Sequence, residues 1–178
     1  MTYRVRQAVR AVRAAEGYDP QTGRARAAAV LDAPLLALFM KLRHSEQSHS
    51  LNVLSGVCAQ FDGDAPRPLA VAALLHDIGK IRLPLALWGR SFPVALHMLA
   101  PDWVGRLAAR YPRRPLRLTR PCAVYVGHPA WGAEMAAEAG APQEAVWLIA
   151  HHADPLERWR DHPLSAWLAA LRRADDAN

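Results

Sequence analysis

The residues of this chain that can do chemistry are its histidines and a few acids. Eight histidines stand out against a background of alanine, leucine and arginine. Five of them keep suggestive company: His49 beside Ser50, His76 beside Asp77, His128 before Pro129, and the pair His151-His152. Asp175 and Asp176 add an acidic pair late in the sequence. Imidazole nitrogen and carboxylate oxygen together suit Mn, Fe, Co, Ni or Zn. Cys58 and Cys122 stand too far apart in sequence for a CxxC site. Adjacent helical residues diverge by roughly 100°. His76 and Asp77 can still reach one ion placed between them near a helix end, and a carboxylate there can bridge two ions. His44, His97 and His162 fit no motif and read as surface or packed histidines.

Residues so far apart in sequence need a scaffold, and the periodicity predicts helices. Val5, Ala8, Val9 and Val12 recur at helical spacing with arginines on the other face. Further helices are expected over about 24–31, from Pro34 along Leu35, Leu38, Phe39 and Leu42, and along Leu51, Leu54, Val57, Cys58 and Phe61 up to a stop at Asp62-Gly63-Asp64. Others are expected at Leu69–Ile78, at Pro129–Ala139, at Pro142–Ala150 and at Leu164–Ala174. Only Cys122–Val126 has weak strand character. Residues 82–122 carry Pro84, Pro93, Pro101, Pro112, Pro115 and Pro121 among many arginines, which reads as an inserted cap of short helices. The expected fold is an all-α bundle forming a single domain over residues 1–178. Residues 1–33 supply N-terminal helices and 82–122 supply the inserted cap.

Composition narrows the function classes. With 178 residues, 52% hydrophobic and 21% charged, the chain reads as one ordinary globular unit. An aromatic fraction of 7% argues against a stacking platform for single-stranded nucleic acid. The net charge is +6, and arginine supplies almost all of the positive side, since Lys41 and Lys80 are the only lysines. The Arg110–Arg120 cluster reads as attraction for a small phosphorylated substrate rather than for nucleic acid. The longest apolar runs, Ala33–Met40 and Leu69–Leu75, are too short to span a bilayer. A cytoplasmic protein with no membrane partner is expected.

The order His49, His76-Asp77, Asp175 resembles the HD-domain metal-dependent phosphohydrolases. Leu74-Leu75-His76-Asp77-Ile78-Gly79-Lys80-Ile81-Arg82-Leu83-Pro84 is similar to the LLHDIGKI-x-(I/L)P signature of the HD-GYP branch. His49-Ser50-Leu51-Asn52-Val53 is similar to that branch's HSxxV helix, Gly127–Glu134 to its GHPxxGAE segment, and His151-His152 to its paired histidine. The branch's GYP run is absent. The resemblance implies an HD-type helical bundle binding one or two divalent ions (Mn, Fe, Ni, Co or Zn, with Mg also admitted). His49, His76, Asp77 and Asp175 would hold the first ion. Asp77, His128 and His151 would hold the second, with His152 contacting phosphate. Asp77 and Lys80 would be catalytic, Lys80 pointing its ammonium at a phosphate oxygen while a metal-activated water attacks phosphorus. The implied activity is hydrolysis of a phosphomonoester or phosphodiester of a nucleotide or related small metabolite. The alternatives are a diverged cyclic-dinucleotide phosphodiesterase and a non-catalytic signalling or scaffold module on the same fold.

Overall fold

The computed structural model of the chain describes residues 18–85, 93, 96, 97, 99–113, 116 and 118–178. Among the described residues every regular element is helical, and no helix is long and apolar enough to cross a membrane. The helices are α1 (Pro20–Ala28), α2 (Ala33–Phe39), α3 (His44–Cys58), α4 (Arg67–Leu75), α5 (Pro101–Arg110), α6 (Thr119–Glu138), α7 (Gln143–His151) and α8 (Ser165–Ala177). Two 3-10 turns join them, at Ile78–Arg82 and Leu156–Trp159. The helix expected through Val5 and Val12 lies outside the described residues, as does part of the 82–122 segment.

Helix starts follow local chemistry. Asp19 accepts hydrogen bonds from the backbone N–H groups of Gln21 and Thr22 at 3.2 and 3.0 Å, with Pro20 in the first helical position. At the start of α3 the Arg43 N–H donates to Glu46 Oε2 at 3.0 Å, which closes its first turn. The chain leaves α3 through Asp62 (φ 52°) and Gly63 (φ 96°), left-handed conformations suited to the stop read there.

Helix α4 organises the rest. A surface helix carries one apolar stripe, but Leu69 to Leu75 are apolar at every position and each is at most 5% exposed. Such a helix must be covered on all sides. α3 and α7 pack against it and α8 touches it, while α6 crosses the 78–82 turn, α5 and α7. His76 and Asp77 follow directly on its last turn, so the most buried helix delivers them, 1% and 6% exposed, into the interior.

Two expected boundaries are corrected. α6 does not start at Pro129; it starts at Thr119 and runs through the proline. Cys122–Val126 therefore lies in a helix rather than a strand. A short apolar run fits either element, and here Cys122, Ala123 and Val124 bury a helical face. α4 also stops at Leu75, and the tighter 78–82 turn takes the place of its expected last residues.

That turn meets α6 backbone to backbone. A Cβ on Gly79 would overlap the carbonyl oxygen of His128 and come within 2.6 Å of the Gly132 nitrogen. Gly105, within α5, has open space around it. Gly79→Ala should lower stability by about 2–3 kcal/mol through forced separation of the turn from α6. Gly105→Ala should raise it by up to about 1 kcal/mol through helix propensity. Thermal unfolding followed by circular dichroism measures both, and equal effects would contradict the packing described.

Candidate metal centre

Three histidine rings are fixed by backbone carbonyls that helices leave open. The last carbonyls of a helix have no partner within it. His76, just past α4, places Nδ1 3.1 Å from the Ala73 oxygen, and His152, just past α7, places Nδ1 2.8 Å from the Ile149 oxygen. Within α6, Pro129 has no N–H to give to Tyr125, four residues back. His128 uses that carbonyl instead, with Nδ1 2.9 Å from the Tyr125 oxygen and 3.1 Å from that of Val124. A carbonyl only accepts, so each Nδ1 carries a proton and each ring turns its Nε2 into the interior.

Those Nε2 atoms converge. His128 Nε2 and His152 Nε2 lie 3.2 Å apart. The His76 and His152 ring centroids are 5.2 Å apart, and His76 Nε2 is buried without a hydrogen-bond partner. Two neutral imidazole nitrogens aimed at each other repel unless a cation lies between them. Nitrogens bound to one ion at about 2.1 Å, at tetrahedral to right angles, stand about 3.0–3.4 Å apart. The observed spacing falls in that window.

The carboxylates complete the cluster. Asp77 turns its two oxygens to two sides: Oδ1 is 3.5 Å from His128 Nε2, and Oδ2 is 3.7 Å from His76 Nε2 and in contact with Lys80 Nζ. Asp175 reaches back from α8, with Oδ1 3.0 Å from His49 Nε2 and 3.7 Å from His76 Nε2. Donor atoms of His49, His76 and Asp77, and separately of Asp77, His128 and His152, all lie within 4.8 Å of one another, so each group could hold a metal ion. Asp77 belongs to both.

Electrostatics keep the donors in the forms that bind metal. Burial, aided by the neighbouring imidazoles, lowers His152 to about 3, and burial lowers His128 to about 4, so both rings are neutral near pH 7. Burial pushes the Asp77 carboxyl up, but the Lys80 ammonium, with His76 and His49 beside it, outweighs burial and holds Asp77 well below the ordinary carboxylate range. Burial likewise opposes ionisation of Asp175, yet the hydrogen bond from His49 and the nearness of His76 bring it down to about 2. His49 is raised: burial works downward, but Asp175 and Asp77 overcome it.

Sequence and structure differ over the paired histidines. The sequence reading puts His151 among the ligands and His152 on phosphate; the structure instead turns His152 into the donor cluster and His151 away from it. His152 joins the cluster, whereas His151 Nδ1 lies 2.9 Å from Asp154 Oδ2 and its ring packs on Trp147 and Trp159. The signal was in the helical phase. Ala145, Leu148 and Ile149 form the buried stripe of α7, and position 152 continues it while 151 does not. Apolar Val146 and Trp147 on the other face hid that stripe. The structure brings His49, His76, Asp77, His128 and Asp175 together, with Lys80 at the rim.

Sequence reasoning missed Arg172. Its Nη1 donates to the carbonyls of His152 and Asp154 at 3.0 and 2.7 Å, which pins the turn carrying His152 to the helix carrying Asp175. No motif marks it, because its partners are backbone groups eighteen and twenty residues away.

Replacing His152 with alanine should weaken divalent-metal binding by more than about 100-fold, beyond the roughly 10–100-fold loss typical of outer-shell changes. His151→Ala should stay within about threefold of the parent, since it removes only a neighbour of the ligands and none of them. Elemental analysis after gel filtration, with calorimetric titration of Mn or Zn, separates the two. Loss of metal from the His151 variant alone would restore the original assignment.

Comparison with protein-family models, with curated proteins and with solved structures finds no match for this chain.

Proposed function

We propose that this chain is a metal-dependent phosphohydrolase of the HD type, acting on a phosphomonoester or phosphodiester of a nucleotide or related small metabolite. One observation carries the proposal: the buried Nε2 atoms of His76, His128 and His152 gather around a single ionised carboxylate, Asp77. The order of sequence motifs from His49 to Asp175 supports the same reading.

In this reading His49, His76, Asp77 and Asp175 hold one divalent ion and Asp77, His128 and His152 a second. Such ions supply Lewis acidity, a water that is nucleophilic near neutral pH, and charge neutralisation at phosphoryl oxygens. The protein's own part is preorganisation. Carbonyl-anchored rings cannot rotate away from the cluster, and Asp77 serves both groups because its oxygens diverge. Lys80 holds a positive charge against Asp77 Oδ2 at the rim, where it attracts a non-bridging phosphoryl oxygen. A purely structural bundle has no use for this arrangement, because carboxylates and bare lone pairs are costly in an interior. That argues against the scaffold alternative.

The test is a screen of nucleotides, cyclic nucleotides and generic phosphoesters with Mn-, Fe- or Ni-loaded protein. Asp77→Asn should lower turnover by at least about 10²–10³, the size of effect seen when one preorganised electrostatic group is lost. Lys80→Ala should lower turnover with metal content preserved. Full activity in the Asp77 variant, or no turnover of any phosphoester by the metal-loaded protein, would remove the proposal.

A further inference from the structure

Beside the histidine–aspartate cluster, and sharing Lys80 with it, lies a cavity of about 320 Å³ bounded among the described residues by Lys41, Arg43, Glu46, Lys80, Ile81 and Pro84. We propose that it seats a second phosphoryl group of the substrate, so that the substrate is a bis- or oligophosphorylated small molecule rather than a simple monoester. This rests on the phosphohydrolase reading of the adjoining cluster and specifies its substrate class.

Four observations carry it. The first is charge: among the described residues three cationic side chains line the cavity against one carboxylate. That carboxylate, Glu46, accepts the Arg43 backbone N–H at 3.0 Å and so is engaged with the first turn of α3. The second is composition. The chain contains two lysines among 22 basic residues, and both line this cavity. The third is anchoring. Arg43 Nη2 donates to the Leu85 carbonyl at 2.9 Å, which fixes the guanidinium at the wall. A guanidinium has five donors, so others stay available to an anion. Lys41 makes no ion pair among the described residues, so its ammonium is open to a ligand. The fourth is continuity. Lys80 touches Asp77 Oδ2 and also lines the cavity, so a phosphoryl group seated there adjoins one held at the cluster.

Size and chemistry limit the occupant. Small-molecule sites usually span about 300–1,000 Å³, and this one lies at the lower end, with room for a phosphoryl group and part of the small molecule that carries it. A carboxylate in the wall disfavours binding by charge alone and favours an anion that also takes directed hydrogen bonds. Phosphate oxygens do so with ammonium and guanidinium partners.

The experiment is calorimetric titration of the full-length, Mn-loaded protein with orthophosphate and with methylenebisphosphonate, which cannot be hydrolysed between its phosphorus atoms. The parent should bind the bisphosphonate at least tenfold more tightly. Lys41→Gln, an exposed change remote from the ligand set, should lower bisphosphonate affinity about five- to tenfold and leave orthophosphate affinity within twofold. Arg43→Gln should act in the same direction. Chelation of the ions strengthens binding of the bisphosphonate but does not depend on Lys41. Bisphosphonate affinity unchanged in both variants, or an equal fall for both probes, overturns the inference. The two readings fail separately. Phosphoester turnover with Lys41-independent binding removes the second seat alone, whereas Lys41-dependent binding without turnover of any phosphoester removes the hydrolase.

Discussion

The site depends on one constraint: backbone carbonyls that no helical N–H can reach must find another donor. Ala73 and Ile149 lie in the last turns of α4 and α7, and Tyr125 loses its partner to Pro129. In each case an imidazole Nδ1–H answers. One hydrogen bond per ring thus settles the tautomer, the orientation and the atom left exposed. The three exposed atoms meet because the elements bearing them meet. α4 is central, α6 approaches the 78–82 turn closely enough to need glycine at 79, and Arg172 clamps the end of α7 to α8.

The same constraint makes the site expensive to keep without a cation. Neutral rings held 3.2 Å apart at their lone pairs gain nothing from each other. The acids are partly answered from within: Asp175 by His49, Asp77 by Lys80. Apolar side chains of similar volume would usually stabilise such an interior at least as well. An arrangement that forgoes that stability points to a ligand that recovers it, and the donor set is of the kind that divalent transition ions take.

Much of this was legible in the sequence and some was not, for identifiable reasons. His76-Asp77 closes a run that is apolar at every position, so a buried location followed from the run itself. His49 and Asp175 were placed by motif order, and α8 does carry Asp175 back to α3. The choice between His151 and His152 turned on helical phase, and α7 is apolar on too many faces for phase to be read without knowing what covers it. Pro129 reads as a helix start wherever proline is taken only as a breaker. It sits inside α6 because a side chain from the preceding residue repairs the hydrogen bond it removes. Arg172, Lys41 and Arg43 carry no local signal, since their significance lies in carbonyls and a cavity assembled from distant segments.

The distribution of lysine follows from the geometry of Asp77. A guanidinium at position 80 would match a carboxylate with two parallel hydrogen bonds and so occupy both oxygens. Asp77 has a different use for each: Oδ1 faces His128, and Oδ2 faces His76. An ammonium is a compact charge that can rest on Oδ2 alone and still turn donors toward the neighbouring cavity. In a chain that otherwise meets its need for positive charge with arginine, lysine at this position leaves one face of the shared carboxylate open. That open face is what lets a single aspartate belong to two donor groups at once.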